Sequence, residues 1–200
     1  RTAPMSKNKA LAALQTFFGW FLNVYIEIFR GTPMIVQSMV IFYGSAQAFN
    51  ISLDRTWAAI FIVSINTGAY MSEIVRGGIL AVDPGQFEAA TALGMTHGQT
   101  MRKVVLPQVV RNILPATWNE FVINIKDTSV LNVISVVELY FTGNTVATQN
   151  YQYFPTFTII AVIYFVLTFT ITRILRYIER RLDSDTYTTG ANQMQVKEVK

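Results

Sequence analysis

The chain has 200 residues, 52% of them hydrophobic and only 14% charged, a balance too apolar for an ordinary soluble domain of that length. It has no cysteine, so it says nothing about disulfides or thiol chemistry. Its net charge of +4 follows from how basic residues are distributed about apolar segments, and gives no reason to expect nucleic acid.

In chain order, residue 1 is Arg rather than Met and no signal-peptide pattern follows, so the sequence reads as beginning inside a longer protein. Phe17, Trp20, Phe21 and Tyr25 predict an interfacial helix, with core packing as the alternative. Glu27 and Arg30 stand at i, i+3 and suit a local ion pair. Gly31-Thr32-Pro33 predicts a break, because proline disfavours helical backbone at the residue before it.

Four apolar segments follow. Gly31–Leu53 and Thr56–Ser72 carry no charge, and Leu139–Thr172 is uncharged throughout. Pro107–Leu131 is apolar but holds Arg111, Glu120, Lys126 and Asp127. These are of the order of the roughly 20 residues that cross the hydrocarbon core as a helix. One such segment could be the core helix of a large soluble protein, but four leave too little polar chain to cover them. The expected fold is all-α: a polytopic membrane protein with about four transmembrane helices, at 32–52, 56–75, 108–131 and 155–175, plus interfacial helices. The domain reading is one membrane domain over 1–182 and a polar, disordered tail over 183–200, where periodicity is lost.

The second span carries Asn66, Thr67, Tyr70 and Glu73. Asn66, Tyr70 and Glu73 share a face at i, i+4, i+7. Asn66, Thr67 and Tyr70 are candidate contacts for the α-groups of an amino acid. Interhelical hydrogen bonding, with Gly68 admitting a close neighbour, is the equally weighted alternative. Glu73 lies nearer one end and is expected to pair with Arg76.

Between the second and third spans, FEAATALGMTHGQTMRKVVLP (87–107) is polar and punctuated. Asp83, Pro84 and Gln86 read as an N-cap, a proline at the first helical position and a capping-box partner. The helix should end at Gly94, which tolerates left-handed backbone, and Thr96 with Gln99 should start a second short helix towards Pro107. Two short helices with an elbow result. Phe87, Ala90 and Thr91 share one face, and Ala89 and Ala90 are small enough for another surface to approach. An inert loop is the bland alternative.

On the third span, Glu120 and Asp127 are seven residues apart, with Asn124 between them. Ionisable groups at membrane depth are functional candidates by default, and two carboxylates with an amide on one face suit an ammonium or guanidinium group. Neutralisation by Lys126 or a neighbouring helix is the structural alternative. Tyr140–Tyr153 predicts an interfacial segment turning at Gly143-Asn144. His97, the only histidine, has no ligand-spaced partner, so a solvated residue is expected and no metal or catalytic site. There is no GxxxxGK[ST] phosphate loop, so this chain is not expected to hydrolyse ATP.

With spans placed as above, 14 of the 16 lysines and arginines fall on one side of the membrane, counting Arg111 and Arg173 in the span ends that face it. Arg55 falls on the other, and Lys126 within a span. The positive-inside rule then puts 87–107 and the C-terminus in the cytoplasm.

The residues also carry a resemblance. Glu88-Ala89-Ala90, three residues, Gly94, nine residues, then Val104-x-Leu106-Pro107 resembles the EAA signature of bacterial ABC importer permeases, with Val104 where Ile is usual. YIEIFRGTP (25–33), NTGAYMSEIVRGG (66–78) and LPATWNEFVINIKDTSVLNVI (114–134) are similar to the polar amino-acid branch of that family. The similarity runs to about Leu182. It implies a permease subunit of an ATP-driven importer of polar amino acids, basic ones included in that class, working by alternating access in the bacterial cell membrane. Glu88, Ala89, Ala90, Gly94, Leu106 and Pro107 would form the coupling element that docks on a cytoplasmic ABC ATPase dimer, which would hold ATP and Mg. A second permease subunit and an extracytoplasmic amino-acid-binding protein are the other implied partners, beside the bilayer. The family usually has one more membrane helix ahead of the region where this sequence starts, and a small residue where Trp118 stands. Two other readings rest on the residues alone. The intramembrane acids would serve as ion sites in a gradient-driven secondary transporter or channel subunit, and the elbow would recruit a partner in a structural or signalling subunit. The EAA elbow argues against the first and the carboxylate face against the second.

Overall fold

A computed structural model describes the backbone of residues 9–198 and the side chains of residues 10–182. The described residues form helices and connections, without strands. Helix α1 spans Lys9–Gly31, α2 Met34–Phe49 and α3 Arg55–Leu80. The short helices α4 (Pro84–Ala92) and α5 (His97–Thr100) follow, and then one π-helical segment, Met101–Val105. Helix α6 is Leu106–Asp127, continued by 3-10 turns over Thr128–Ile134. Helices α7 (Leu139–Asn150) and α8 (Tyr153–Glu198) complete the chain. The expected tail over 183–200 lies outside the described side chains, and α8 carries its backbone in helical form to Glu198.

Three helical stretches are long and apolar enough to cross a membrane: Ala10–Gly31, Arg55–Leu80 and Tyr153–Leu182. The path His97–Ile134 plus Leu139–Asn150, bent by 54°, makes a fourth if counted as one span. This differs from expectation at the N-terminal side. The span expected at 32–52 is only the 16 residues of α2, about 24 Å of helix against roughly 30 Å of hydrocarbon. It starts after the extended Pro33 and ends at Asn50, which takes a left-handed conformation (φ 55°). Conversely α1, expected at the interface, has the length of a span. It is two-faced nonetheless: Phe17, Trp20 and Phe21 are exposed, while Asn23, Glu27 and Arg30 line a groove against α3.

The chain divides into two compact units. One comprises Arg1–Arg76 and Asp127–Phe141, the other Gly77–Lys126 and Thr142–Lys200. The first unit's core joins Ala58, Ala59 and Ile62 of α3 to Leu131 and Ile134 of the 3-10 segment, with Met34, Ile41 and Phe42 of α2 against it. Two alanines one turn before Ile62 let the backbones approach closely. Ile62 and Ile134 are fully buried, each worth roughly 1.5–3 kcal/mol. Tyr43 of α2 donates its hydroxyl to the Val133 carbonyl at 3.0 Å. The regular helix expected through Leu131 instead ends at Asp127. Asn132 donates to the Ser129 carbonyl at 2.7 Å, a local bond of the kind that favours turns over helix. Ser135, at φ 61°, closes the segment.

The second unit's core is Val82, Val105 and Val109, with Phe87, Met101 and Ile113 against it. It ties α4 to the beginning of α6 and the end of α3. Gly78 makes this possible, since a Cβ there would lie 2.2 Å from Cγ2 of Ile113. Gly143 does the same between α7 and α8, where a Cβ would sit 2.0 Å from Cδ1 of Ile160. Gly143-Asn144 is therefore mid-helix, not the turn expected from the dipeptide. The chain reverses later, around Tyr151 (φ 58°), where Asn150 Oδ1 accepts the Gln152 amide at 2.9 Å.

Candidate functional site

The elbow is built from local signals almost throughout. Asp83 caps α4, its Oδ1 accepting the Gly85 amide at 2.8 Å, and Pro84 occupies the first turn, where its missing N–H costs nothing. The expected reciprocal bond from Gln86 is not made: the Gln86 side-chain oxygen Oε1 instead accepts from Gln108 Nε2 at 3.3 Å, tying α4 to α6. At the far end the Met95 amide reaches the Ala90 carbonyl at 3.1 Å and the Gly94 amide reaches Thr91 at 2.9 Å. That pair of bonds, with Gly94 at φ 74°, is a Schellman termination. Thr96 and Gln99 form the complete capping box that starts α5.

An inward and an outward face follow. Phe87 and Ala90 turn inward, Ala90 being 3% exposed. Ala90 is thus a packing residue and not part of the free surface expected for it. Glu88, Ala89 and Gly94 are exposed, as are Leu106 and Pro107 beyond the π turn. Leu93, which the sequence reading did not single out, is an apolar side chain 81% exposed beside the elbow. The path to Pro107 also differs from a plain second helix. Proline supplies no amide, and immediately before it the ladder widens, with the Leu106 amide reaching back to the Met101 carbonyl. His97 is exposed, and no cluster able to hold a metal ion occurs among the described residues.

The polar face of α3 is largely occupied within the first unit. Asn66, 8% exposed, donates from Nδ2 to Oε1 of Gln37 at 2.9 Å and to the Phe29 carbonyl at 3.3 Å. Gln37 in turn donates to the carbonyls of Phe29 and Thr32 and to Thr32 Oγ1, each at 2.9 Å. The interhelical alternative therefore describes Asn66 in this conformation. The carbonyls it and Gln37 satisfy are those freed where Pro33 interrupts the helix. Gln37 was missed by the sequence reading, although a lone glutamine inside an apolar stretch was the available signal. Thr67 and Tyr70 are half-buried, and the Arg30 guanidinium lies 5.5 Å from the centre of the Tyr70 ring. Glu73 pairs with Arg76 as expected, at 2.6 Å, and also with Arg30 at 3.4 Å. Arg30 thus finds its carboxylate on α3, and not in Glu27 on its own helix.

On α6, Glu120 and Asn124 are half-buried and Asp127 is exposed at the helix end. All three keep the spacing of one helical face. Glu120 and Asn124 belong to the second unit, whereas Asp127 belongs to the first with Asn66, Thr67 and Tyr70. Two residues before Glu120, Trp118 lines a cavity of about 250 Å³ with Pro115 and Val122 of α6 and with Thr172 and Arg176 of α8. The Trp118 indole N–H and the Thr117 hydroxyl are buried without a hydrogen bond. The indole is therefore a wall of a cavity in the second unit.

Residues 10–184 match the family of binding-protein-dependent transport system inner membrane components. The chain is 37% identical over 178 residues to the arginine transport system permease protein ArtQ of Bacillus subtilis (strain 168), covering 88% of this chain and 81% of that one. It is 40% identical over 173 residues to the glutamine transport system permease protein GlnP of Escherichia coli (strain K12), covering 84% and 79%. The fold matches a crystal structure of an amino acid ABC transporter with histidines at a TM-score of 0.77 and 41% identity, over 88% of this chain and 79% of that one. The helical fold, the capped elbow and these likenesses converge: the chain belongs to the binding-protein-dependent transport inner membrane components, as an amino-acid permease of the ABC importer type.

Proposed function

We propose that this permease imports polar amino acids, with basic ones favoured, and that the segment from Asp83 to Pro107 is its docking element for a separate cytoplasmic ATPase. The observation that carries the coupling reading is the elbow itself. It is capped at both ends, fixed by Phe87 to a valine core, and presents Glu88, Ala89 and Leu93 outward. An inert loop needs none of these restraints. Movement of a partner against α4 would act on the starts of α5 and α6 together, because Gln86, Val105 and Val109 bind them into one block. ATP and Mg belong to that partner, a second permease subunit completes the pathway, and an extracytoplasmic binding protein delivers substrate. The elbow and the C-terminus face the cytoplasm on the distribution of basic residues.

The substrate reading rests on Glu120, Asn124 and Asp127, which put two acceptors of a cationic group and an amide on one face of α6. The arginine and glutamine named for the relatives fall within the same chemical class, polar side chains carrying nitrogen donors. Asn66 is already engaged with Gln37, so Thr67 and Tyr70 are the better candidates on α3. The deciding experiment measures ATPase activity of the reconstituted complex with its binding protein and a panel of amino acids. Stimulation by arginine, lysine, histidine or glutamine supports the proposal. Stimulation confined to apolar or acidic amino acids refutes the substrate class, and no association with any ATPase refutes the coupling role.

A further inference from the structure

A groove of about 430 Å³ runs between α1 and the C-terminal part of α3, within the first unit. Its walls change character along α1. Gly19, Leu22 and Ile26, with the neutral amide of Asn23 among them, make one end uncharged and mostly apolar, and a Cβ on Gly19 would meet nothing within 4 Å, so that end is open. Glu27 and Arg30 of α1, with Glu73 and Arg76 of α3, make the other end charged. The side chains of Arg30 and Arg76 are 42% and 49% exposed. Arg76 engages Glu73 through Nε and one terminal nitrogen. Arg30 touches Glu73 through one nitrogen only, at 3.4 Å. Both guanidinium groups therefore keep donors to spare. Glu27 forms no ion pair among the described residues.

The charges define an occupant. Two arginines and the one carboxylate they share leave an excess of about one positive charge, suited to one phosphate. Glu27, on the same side of the groove, supplies one unshared carboxylate, suited to one ammonium. The position suits a membrane surface as well. Arg55 and Arg76 bracket α3 and are about 32 Å apart along the helix, close to the hydrocarbon thickness. The charged end of the groove thus lies at a headgroup level and its apolar end extends along α1, whose other face exposes Phe17, Phe18 and Phe21. We propose that this groove is a phospholipid site for a headgroup carrying both a phosphate and a primary ammonium, with Arg30 and Arg76 holding the phosphate and Glu27 the ammonium. The bound lipid would brace α1 against α3 at the point where Arg30 and Glu73 already meet. This rests on the membrane reading and is independent of which amino acid is carried.

The test uses the permease purified in mild detergent and given an equimolar mixture of phosphatidylethanolamine, phosphatidylglycerol and phosphatidylcholine with identical acyl chains. Native mass spectrometry counts the lipids retained. Phosphatidylethanolamine should be retained in preference to both others, since phosphatidylglycerol lacks the ammonium and the quaternary ammonium of phosphatidylcholine cannot donate a hydrogen bond. Glu27→Gln should abolish that preference while leaving phosphatidylglycerol retention unchanged. Arg30→Gln should lower retention of all three by roughly tenfold, the scale of one charge-assisted hydrogen bond. Glu27 is exposed and unpaired, so its variant carries little folding risk, and circular dichroism checks both. Equal retention of the three lipids, preference for phosphatidylglycerol, or a preference that survives Glu27→Gln overturns the proposal. So does a dimer that retains no lipid, which would assign the groove to subunit packing.

Discussion

Gly94 offers the cleanest test of the elbow, because its conformation and its surroundings can be separated. Its φ is 74°, and a Cβ placed there would meet no atom within 4 Å. A substitution therefore meets no clash, and its cost is confined to the backbone. Asparagine visits left-handed backbone readily, alanine pays about 1 kcal/mol, and a β-branched residue pays more, on the order of 1–3 kcal/mol. If the two bonds that end α4 form only with residue 94 left-handed, each 1.4 kcal/mol lowers the formed-to-open ratio of the elbow about tenfold. Uptake of substrate by proteoliposomes containing the assembled importer should thus fall in the order glycine, Gly94→Asn, Gly94→Ala, Gly94→Val, with Gly94→Val at about a tenth of the parent or less. Membrane insertion and global melting should change little, since the residue is exposed. Parent-like transport by Gly94→Val would refute the coupling argument, and damage by Gly94→Asn equal to that by Gly94→Val would show that side-chain bulk matters and backbone strain does not.

Orientation is checked by single cysteines in a chain that has none of its own: Asn50→Cys should react with an impermeant reagent from outside, Gly98→Cys only after permeabilisation, and the reverse pattern would invert the topology. Glu120→Gln and Asp127→Asn should each lower uptake of a basic amino acid roughly ten- to hundredfold while reducing glutamine uptake less; equal losses for both substrates would make these acids structural. Gly143→Val should destabilise the permease by about 1–3 kcal/mol through overpacking, and Ile160→Ala in the same chain should recover part of the loss. A melting temperature unaffected by Gly143→Val would show that α7 does not pack on α8 as closely as described.

Much of the elbow was legible because its signals are local. Asp83 and Pro84 start a helix, Gly94 ends it and Thr96 with Gln99 starts another, each through atoms within a few residues. The exceptions were set by distant partners. Gln86 satisfies Gln108, 22 residues on, instead of the nearby amide that its spacing suggested. Gly143 carries the local mark of a turn, yet its lack of a side chain serves Ile160 on another helix. Ala90 looked free because a short sequence cannot say which face of α4 is buried. The polar residues of α3 were correctly placed on one face, but Asn66 is spent on Gln37, and their pairing depends on the break at Pro33 bringing α2 back beside α3. The first span failed for a related reason. Absence of charge from Gly31 to Leu53 marks a stretch that tolerates lipid, whereas its helical length is fixed by Pro33 and by the left-handed Asn50.

In α4, two of the nine residues, Phe87 and Ala90, turn inward and the others face outward. Phe87 is committed to the valine core and Ala90 is buried, and substitution at Phe87 would disturb α3, α6 and the elbow together. Glu88, Ala89 and Leu93 make no such commitment. Mutations can accumulate on the outward positions at almost no cost in folding free energy, while the inward ones are held by every helix they touch. A duplicated copy of this subunit could consequently change the surface it offers, one residue at a time, without first having to find a new way to fold.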